Sequence, residues 1–299
     1  MATGNISKTQ IDAFVPEVWS KEIIYQTTNA SIFAGLVRRD FDGEIENQGD
    51  TVHIPLLSAV TVGDKSGNAP VDYTNYSEST KDITIDKHKY FAFRVEDIAR
   101  IQAQPDLIAG YAAQGGRGLA NTIDSDISGL SNNVAITQNV GTTTAGAYND
   151  ISDATIRNAI QILDESNAPE TDRFLVISPA QKNAMLGIDK FVSADKIGDS
   201  DVIRKGLFGQ IYGVLVYVSN NLVDVSAVAS SAGGAGVPAH KACMMFHKEA
   251  FALCTQLQPR VQAAYDLDYL ATSVVGDVLY GTGILVPEFT VQVRTTTEV

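Results

Sequence analysis

The chain has 299 residues, of which 44% are hydrophobic and 19% charged, so it can bury a substantial core and is not a disordered polymer. Its net charge of −13 argues against tight sequence-specific DNA binding, which requires Lys and Arg clustered on one face. Two cysteines, Cys243 and Cys254, share one apolar segment without a CxxC pair, which argues against a disulfide framework or zinc site and for two buried, reduced thiols.

The N-terminus, MATGNISKTQ, has no apolar signal-peptide core, and no run of about 18 apolar residues reads as a membrane span. Residues 222–239 come nearest, but Asp224 breaks the run and its Ser, Gly and Ala content reads as a flexible surface loop. A soluble protein folded in a cytoplasm is expected.

Residues 1–50 do not read as a packed domain. Phe14-Val15-Pro16-Glu17-Val18-Trp19 precedes a short helical stretch from Lys21 to Leu36, with Ile23, Ile24, Ile32 and Phe33 as its apolar positions. Trp19, the only tryptophan, is expected to anchor this segment. A polar turn follows at Arg38-Arg39-Asp40-Phe41-Asp42-Gly43.

From Val52 the apolar residues alternate: Val52, Ile54, Leu56, then Val60 and Val62. That is the period of a half-buried strand. A second alternating run holds Ile83, Ile85, Phe91, Phe93 and Val95, interrupted on its apolar side by Lys87 and Lys89. Residues 63–80 between the runs are polar and Gly-rich. Compact domains rarely hold so long a structureless connection, and an isolated two-stranded ribbon is marginal in water. The pattern predicts a long hairpin arm whose tip finds its partner on another subunit.

Residues 96–130 predict a long helix, with Pro105 in its first turn and Ile108, Tyr111 or Ala112, Leu119, Ile123, Ile127 and Leu130 at helical spacing. Gly110, Gly115, Gly116 and Gly118 oppose helix formation by up to about 1 kcal/mol each. Close packing against a sheet or another backbone is the expected compensation, with a kink as the alternative.

After a polar linker at 131–150, a mixed α/β pattern begins. Asp150 or Ser152 caps a helix carrying Ile156, Ile160 and Leu163, which ends at Asn167-Ala168-Pro169. Arg173–Ile177 reads as a buried strand, and Ser178-Pro179 as the cap and first residue of a short helix. Strands are expected at 213–219 and across 241–256. From about residue 271, strands at Val274-Val275, Val278–Tyr280, Ile284–Val286 and Phe289–Val293 are expected to rejoin the sheet beside the long helix.

The candidates for chemistry are weak. His240 and His247 flank Cys243, but their spacing puts them on opposite faces of a strand. His53 and His88 fall on the predicted hairpin strands. Asp124 with Asp126, and Asp266 with Asp268, read as solvated carboxylates rather than an acid–base pair. The glycines of GGAGVPAH and GLFGQIYG fit no phosphate-binding or dinucleotide motif. No catalytic, cofactor-binding or metal-ligating residue is assigned, and no cofactor or enzymatic activity is expected.

The motifs FVPEVWS, GDTVHIP, FRVEDIARIQAQPDL, RFLVISPAQ and GQIYGVLVYVSNNL, in this order along nearly the whole chain, resemble the HK97-type major capsid proteins of tailed bacteriophages. The resemblance implies an α+β capsid fold. Its parts are an N-terminal arm at 1–50, an extended β-hairpin loop at 51–95, a peripheral domain with a long spine helix at 96–150 and 271–299, and an axial domain at 151–270. It implies self-assembly through pentamers and hexamers into an icosahedral shell enclosing double-stranded DNA, in a virion assembled in host cytoplasm. The implied partners are other copies, a portal and a scaffolding protein, with decoration proteins left open. Because the arm opens near Phe14, the scaffold is expected to be a separate protein. Some relatives cross-link an extended-loop lysine to an Asn of a neighbour; Lys65, Lys81, Lys87 and Lys89 lie in the right region, with simple solvation the favoured reading. Encapsulin compartments use the same fold and form the alternative.

Overall fold

The computed structural model describes residues 31–41, 50–56, 62–65, 67, 73, 79–98, 107–133, 138–141, 143–144, 147–188, 209–227 and 237–296. Trp19, Ile23, Ile24 and Pro105 lie outside the described residues. Of the helix predicted for the arm, one turn, α1 (Phe33–Leu36), falls within them.

Two larger sheets organise the chain. The first has three strands, in the order β12 (Phe251–Asp266), β13 (Ala271–Ile284), β3 (Lys87–Glu96), all antiparallel. The second has seven. Its path runs β4 (Asn139–Val140), β14 (Thr290–Thr295), β11 (His240–His247), β7 (Arg173–Ile177), β9 (Val214–Val218), β8 (Gln210–Ile211), with β10 (Asp224–Val225) also on β11. Two small ribbons complete the set: β1 (Thr51–Leu56) with β2 (Ser79–Thr84), and β5 (Thr143–Thr144) with β6 (Ala147–Tyr148).

The long helix α2 (Leu107–Gly129) lies on the three-stranded sheet. Its glycines divide into two kinds. A Cβ on Gly115 would sit 2.6 Å from the Phe91 ring of β3, so close packing excludes a side chain there. Gly116 and Gly118 face open space. The same Phe91 ring occupies the position a Cβ on Gly276 of β13 would need, 2.3 Å away. Phe91 therefore fills a socket between two glycines. Gly276→Ala is expected to destabilise by about 1–3 kcal/mol through overpacking. Adding Phe91→Leu is expected to recover part of that loss, as a positive coupling in urea unfolding.

Helices α3 (Asp153–Glu165) and α4 (Pro179–Leu186) form as the sequence directs. Ser152 caps α3 by accepting from Thr155 N, and Ile156, Ala159 and Leu163 are buried on one face. Asn167, at φ 57°, takes the left-handed conformation that stops it. Ser178 caps α4 with Pro at its start. β7 is buried throughout. Its Arg173 stays inside because its guanidinium donates to Ala168 O and Pro169 O and pairs with Asp164 at 2.7 Å.

The segment 241–256 is strand and faces the core, as expected, and it divides in two: a single 3-10 turn at Lys248–Ala250 sends β11 into the seven-stranded sheet and β12 into the other. Two expectations need correction. The last strand, β14, pairs with β11, whereas β13 joins the sheet that carries α2. Of the predicted surface loop 222–239, residues 228–236 lie outside the described residues; before them Leu222 is buried and Asp224–Val225 pairs with β11, where Lys241 also reaches Asp224 at 3.2 Å.

One core joins the two sheets. Phe33 of α1 stacks on Phe246 of β11 with ring centroids 6.4 Å apart, and Phe246 meets Phe251 of β12 edge-on at 5.3 Å. Ile127 of α2 and Tyr280 of β13 are buried in the same cluster.

Candidate assembly surface

The hairpin arm is shorter than the alternating pattern predicts. β1 and β2 pair from Thr51↔Thr84 to Leu56↔Ser79. The chain then leaves the hairpin at Ile85-Asp86, and residues 87–96 pair with β13 instead of β1. The two lysines that break the apolar run explain the change. Lys87 Nζ donates to Thr282 Oγ1 at 2.8 Å and lies 3.5 Å from Asp126, which Lys89 approaches at 3.9 Å. They face a carboxylate supplied by α2.

The root of the arm is anchored on its own chain. Val52, Ile83 and Ile85 are buried with Ala252, Cys254 and Leu285. β2 crosses β13 where two glycines let it approach: a Cβ on Gly281 would lie 2.4 Å from Thr84 O, and one on Gly283 2.8 Å from Ile83 Cγ1. Further out, Val62 and Tyr73 are 92% and 93% exposed. An apolar root and bare apolar residues beyond it are what a clasp needs. His53 and Asp82, directly opposite on the two strands, sit 2.6 Å apart at the surface, where such a pair contributes a few tenths of a kcal/mol, about 0.2–1. Of the four arm lysines, Lys87 and Lys89 are engaged at Asp126, while Lys65 is exposed.

The carboxylates read as solvated have structural roles. Asp124 is fully buried and accepts from Ser31 Oγ (2.9 Å), Ile32 N, Ala34 N (3.3 Å) and Asn221 Nδ2 (3.5 Å). It thus ties the end of the arm and the loop after β9 to α2. Asp126 accepts from Tyr280 O–H at 2.6 Å; burial first, and then this carboxylate, push the Tyr280 pKa up. Asp266 pairs with Arg94 at 3.1 Å, and the guanidinium lies 4.0 Å over the Tyr269 ring. Asp268 N donates to Asp266 Oδ1 in the exposed turn between β12 and β13.

Across the three-stranded sheet, Asp277 binds one group from each neighbouring strand. Arg260 Nε and Nη2 donate at 2.8 and 3.1 Å, and His88 Nε2 lies at 3.1 Å. Hydrogen bonds from Arg260 first, then from His88, hold its carboxyl down at about 2. Because the folded pKa lies below the ordinary 3.8, this contribution is complete above pH 3.8 and is lost as pH falls toward 2. In urea titrations between pH 4.5 and 2, Asp277→Asn is expected to flatten the acid loss of stability relative to the parent.

His240 and His247 stand at the two ends of β11, both buried. Burial lowers both pKa values, so each favours the neutral form and weakens the fold as pH drops below 6.5. His240 Nδ1 faces Pro238 O, and His247 Nδ1 accepts from Glu249 N. Cys243 and Cys254 are buried and form no disulfide. Among the described residues, no group of three or more His, Cys, Asp or Glu could hold a metal. An open cleft of about 700 Å³ beside β8 and β9 is lined by Asp164, Glu170, Asp172, Arg173 and Tyr212, but Asp164 already binds Arg173.

Asp124 is buried rather than solvated, and Gly281 carries no motif that singles it out. The spaced glycines of β13 were the one available signal, since Gly within a strand marks close backbone approach.

A family model described as phage capsid protein matches residues 78–290. A chain of Mycobacterium phage Che8 is similar in structure at a TM-score of 0.77 and 27% identity, covering 94% of this chain and 97% of that one. The capsid structure of cyanophage P-SCSP1u matches at 0.77 and 18% identity, covering 99% and 97%. The acidic stable capsid of Helicobacter pylori bacteriophage KHP30 matches at 0.77 and 14% identity over the full length of both chains. No curated protein sequence matches. With an α+β fold, a hairpin arm rooted on the long-helix sheet and a family match across most of its length, the chain belongs to the phage capsid protein family, as a major capsid protein of the tailed-phage type.

Proposed function

We propose that copies of this chain assemble through pentamers and hexamers into an icosahedral shell that encloses double-stranded DNA in the virion. The observation that carries this reading is the arm. Val52 and Ile83 root it in the core, while Val62 and Tyr73 stand bare beyond. Surface of this kind is ordered by contact with neighbours, and many weak contacts add up in a closed assembly. A ring built from one heterologous interface supplies those contacts repeatedly. The net charge of −13 suits a container that surrounds DNA without gripping it. The cellular-compartment alternative has no observation in its favour beside the phage capsid match.

The reading carries a structural role without catalysis, assembly in host cytoplasm, and a portal and a scaffolding protein as partners, with decoration proteins left open. It also keeps the division into arm (1–50), extended loop (51–95), peripheral domain (96–150 and 271–299) and axial domain (151–270). Strand pairing favours moving β12 to the peripheral part and β14 to the axial part. Electron microscopy of the purified protein, alone and co-expressed with a scaffolding protein, is the test. Closed shells in either preparation support the reading, and small monodisperse particles in both overturn it.

A further inference from the structure

β12 is an edge strand of sixteen residues with β13 as its only strand neighbour among the described residues. Near its start, this edge already takes extended backbone from the chain's own arm. Arg38 N donates to Phe251 O at 3.1 Å, and Leu253 N donates to Arg38 O at 3.0 Å, as a parallel bridge.

The register shows what the rest of the edge offers. Leu285 N donates to Ala250 O, so odd-numbered residues of β13 turn their backbone toward β12. Asp97 N donates to Leu270 O, so even-numbered positions turn toward β3. Two register shifts, between Thr255 and Leu257 and between Leu257 and Arg260, each flip the parity of β12, so together they restore it and odd-numbered residues again face outward, as Phe251 and Leu253 do toward Arg38. Beyond them, Val261 stands opposite Gly276 and Ala263 opposite Val274. Their N–H and C=O groups therefore point off the sheet.

Soluble proteins usually guard such an edge with charge, proline or a bulge. Here those devices end at Pro259 and Arg260, and Arg260 is drawn inward by its two hydrogen bonds to Asp277. The next four residues, Val261-Gln262-Ala263-Ala264, carry no charge, and Val261 is 54% exposed. The turn that follows leaves Leu267 and Leu270 exposed as well.

We propose that the outer edge of β12 from Val261 to Ala264 seats an extended strand from a second copy of this chain, added by backbone hydrogen bonds as Arg38 is added upstream. The inference rests on the shell reading. Main-chain pairing is indifferent to sequence, so the strand present at the highest local concentration takes the edge, and in a shell that is another copy.

Proline separates this addition from folding. Ala263→Pro removes one outward N–H and leaves the β12–β13 ladder complete, which edge strands tolerate. The purified variant subunit is expected to unfold at the parent's urea midpoint, while its shells are lost or need about ten-fold more protein to form. Amide exchange of the parent gives a second reading: Val261 and Ala263 exchange quickly in unassembled subunits and become protected in shells. A variant that builds shells at parental yield overturns the proposal, as do amides that exchange equally fast in both states. If the variant does not fold, the exchange result decides. A parent protein that makes no shells under any condition defeats the shell reading itself and this inference with it.

Discussion

Replacing Asp124 with asparagine is expected to destabilise the subunit by about 2–4 kcal/mol, the largest loss from any single isosteric change in the molecule. The carboxylate is fully buried and every group around it is a donor: Ser31 Oγ, two arm amides and Asn221 Nδ2. Asparagine turns one acceptor oxygen into an NH₂ among donors, so one donor loses its partner and the new amide finds none. The melting temperature is expected to fall by about 3–6 °C. Because the donors belong to the arm and to the loop after β9, protease cleavage near residues 31–36 is expected to rise in the variant. A melting temperature within a degree or so of the parent would mean that Asp124 is not the joint described here.

Alanine at Gly281 is expected to do comparable damage by another route. The new Cβ would meet Thr84 O at 2.4 Å and Ile85 Cα at 3.1 Å. Both are backbone atoms, so no rotamer change relieves the clash, and β2 has to lift from β13. Val52 and Ile83 then lose their packing on Ala252 and Cys254, and burying such a side chain is worth about 1.5–3 kcal/mol. Gly283 is the internal control. Its neighbour is the Ile83 side chain, 2.8 Å away, which can turn aside. Gly281→Ala is therefore expected to lower both the urea midpoint and the shell yield more than Gly283→Ala. Equal effects would mean that backbone contact at Gly281 is not what seats β2 on β13.

The features legible in the sequence are those whose causes lie within a turn or two of chain. Ser152 and Ser178 cap their helices through amides three residues on, and the apolar run Arg173–Ile177 announces a buried strand. The long helix was legible in the spacing of Leu119, Ile123 and Ile127. Asp124 was not, because its Ser31 donor lies 93 positions away and nothing near residue 124 marks a carboxylate as buried. Lys87 and Lys89 look like interruptions of an apolar face until Asp126 is placed opposite them. The reach of the hairpin was overread for the same reason: alternation shows that residues 83–95 are strand, but not that their partner changes from β1 to β13 at Asp86. The segment 241–256 was legible as core strand, but not its division, since one polar turn inside an apolar run switches the chain between sheets.

Where the outer part of the arm rests decides whether this chain builds a shell through it. A photoreactive side chain at position 73, activated in assembled shells and followed by mass spectrometry, measures this directly. Cross-links to other copies are expected, absent from unassembled subunits. Cross-links confined to the same chain, unchanged by assembly, would contradict that.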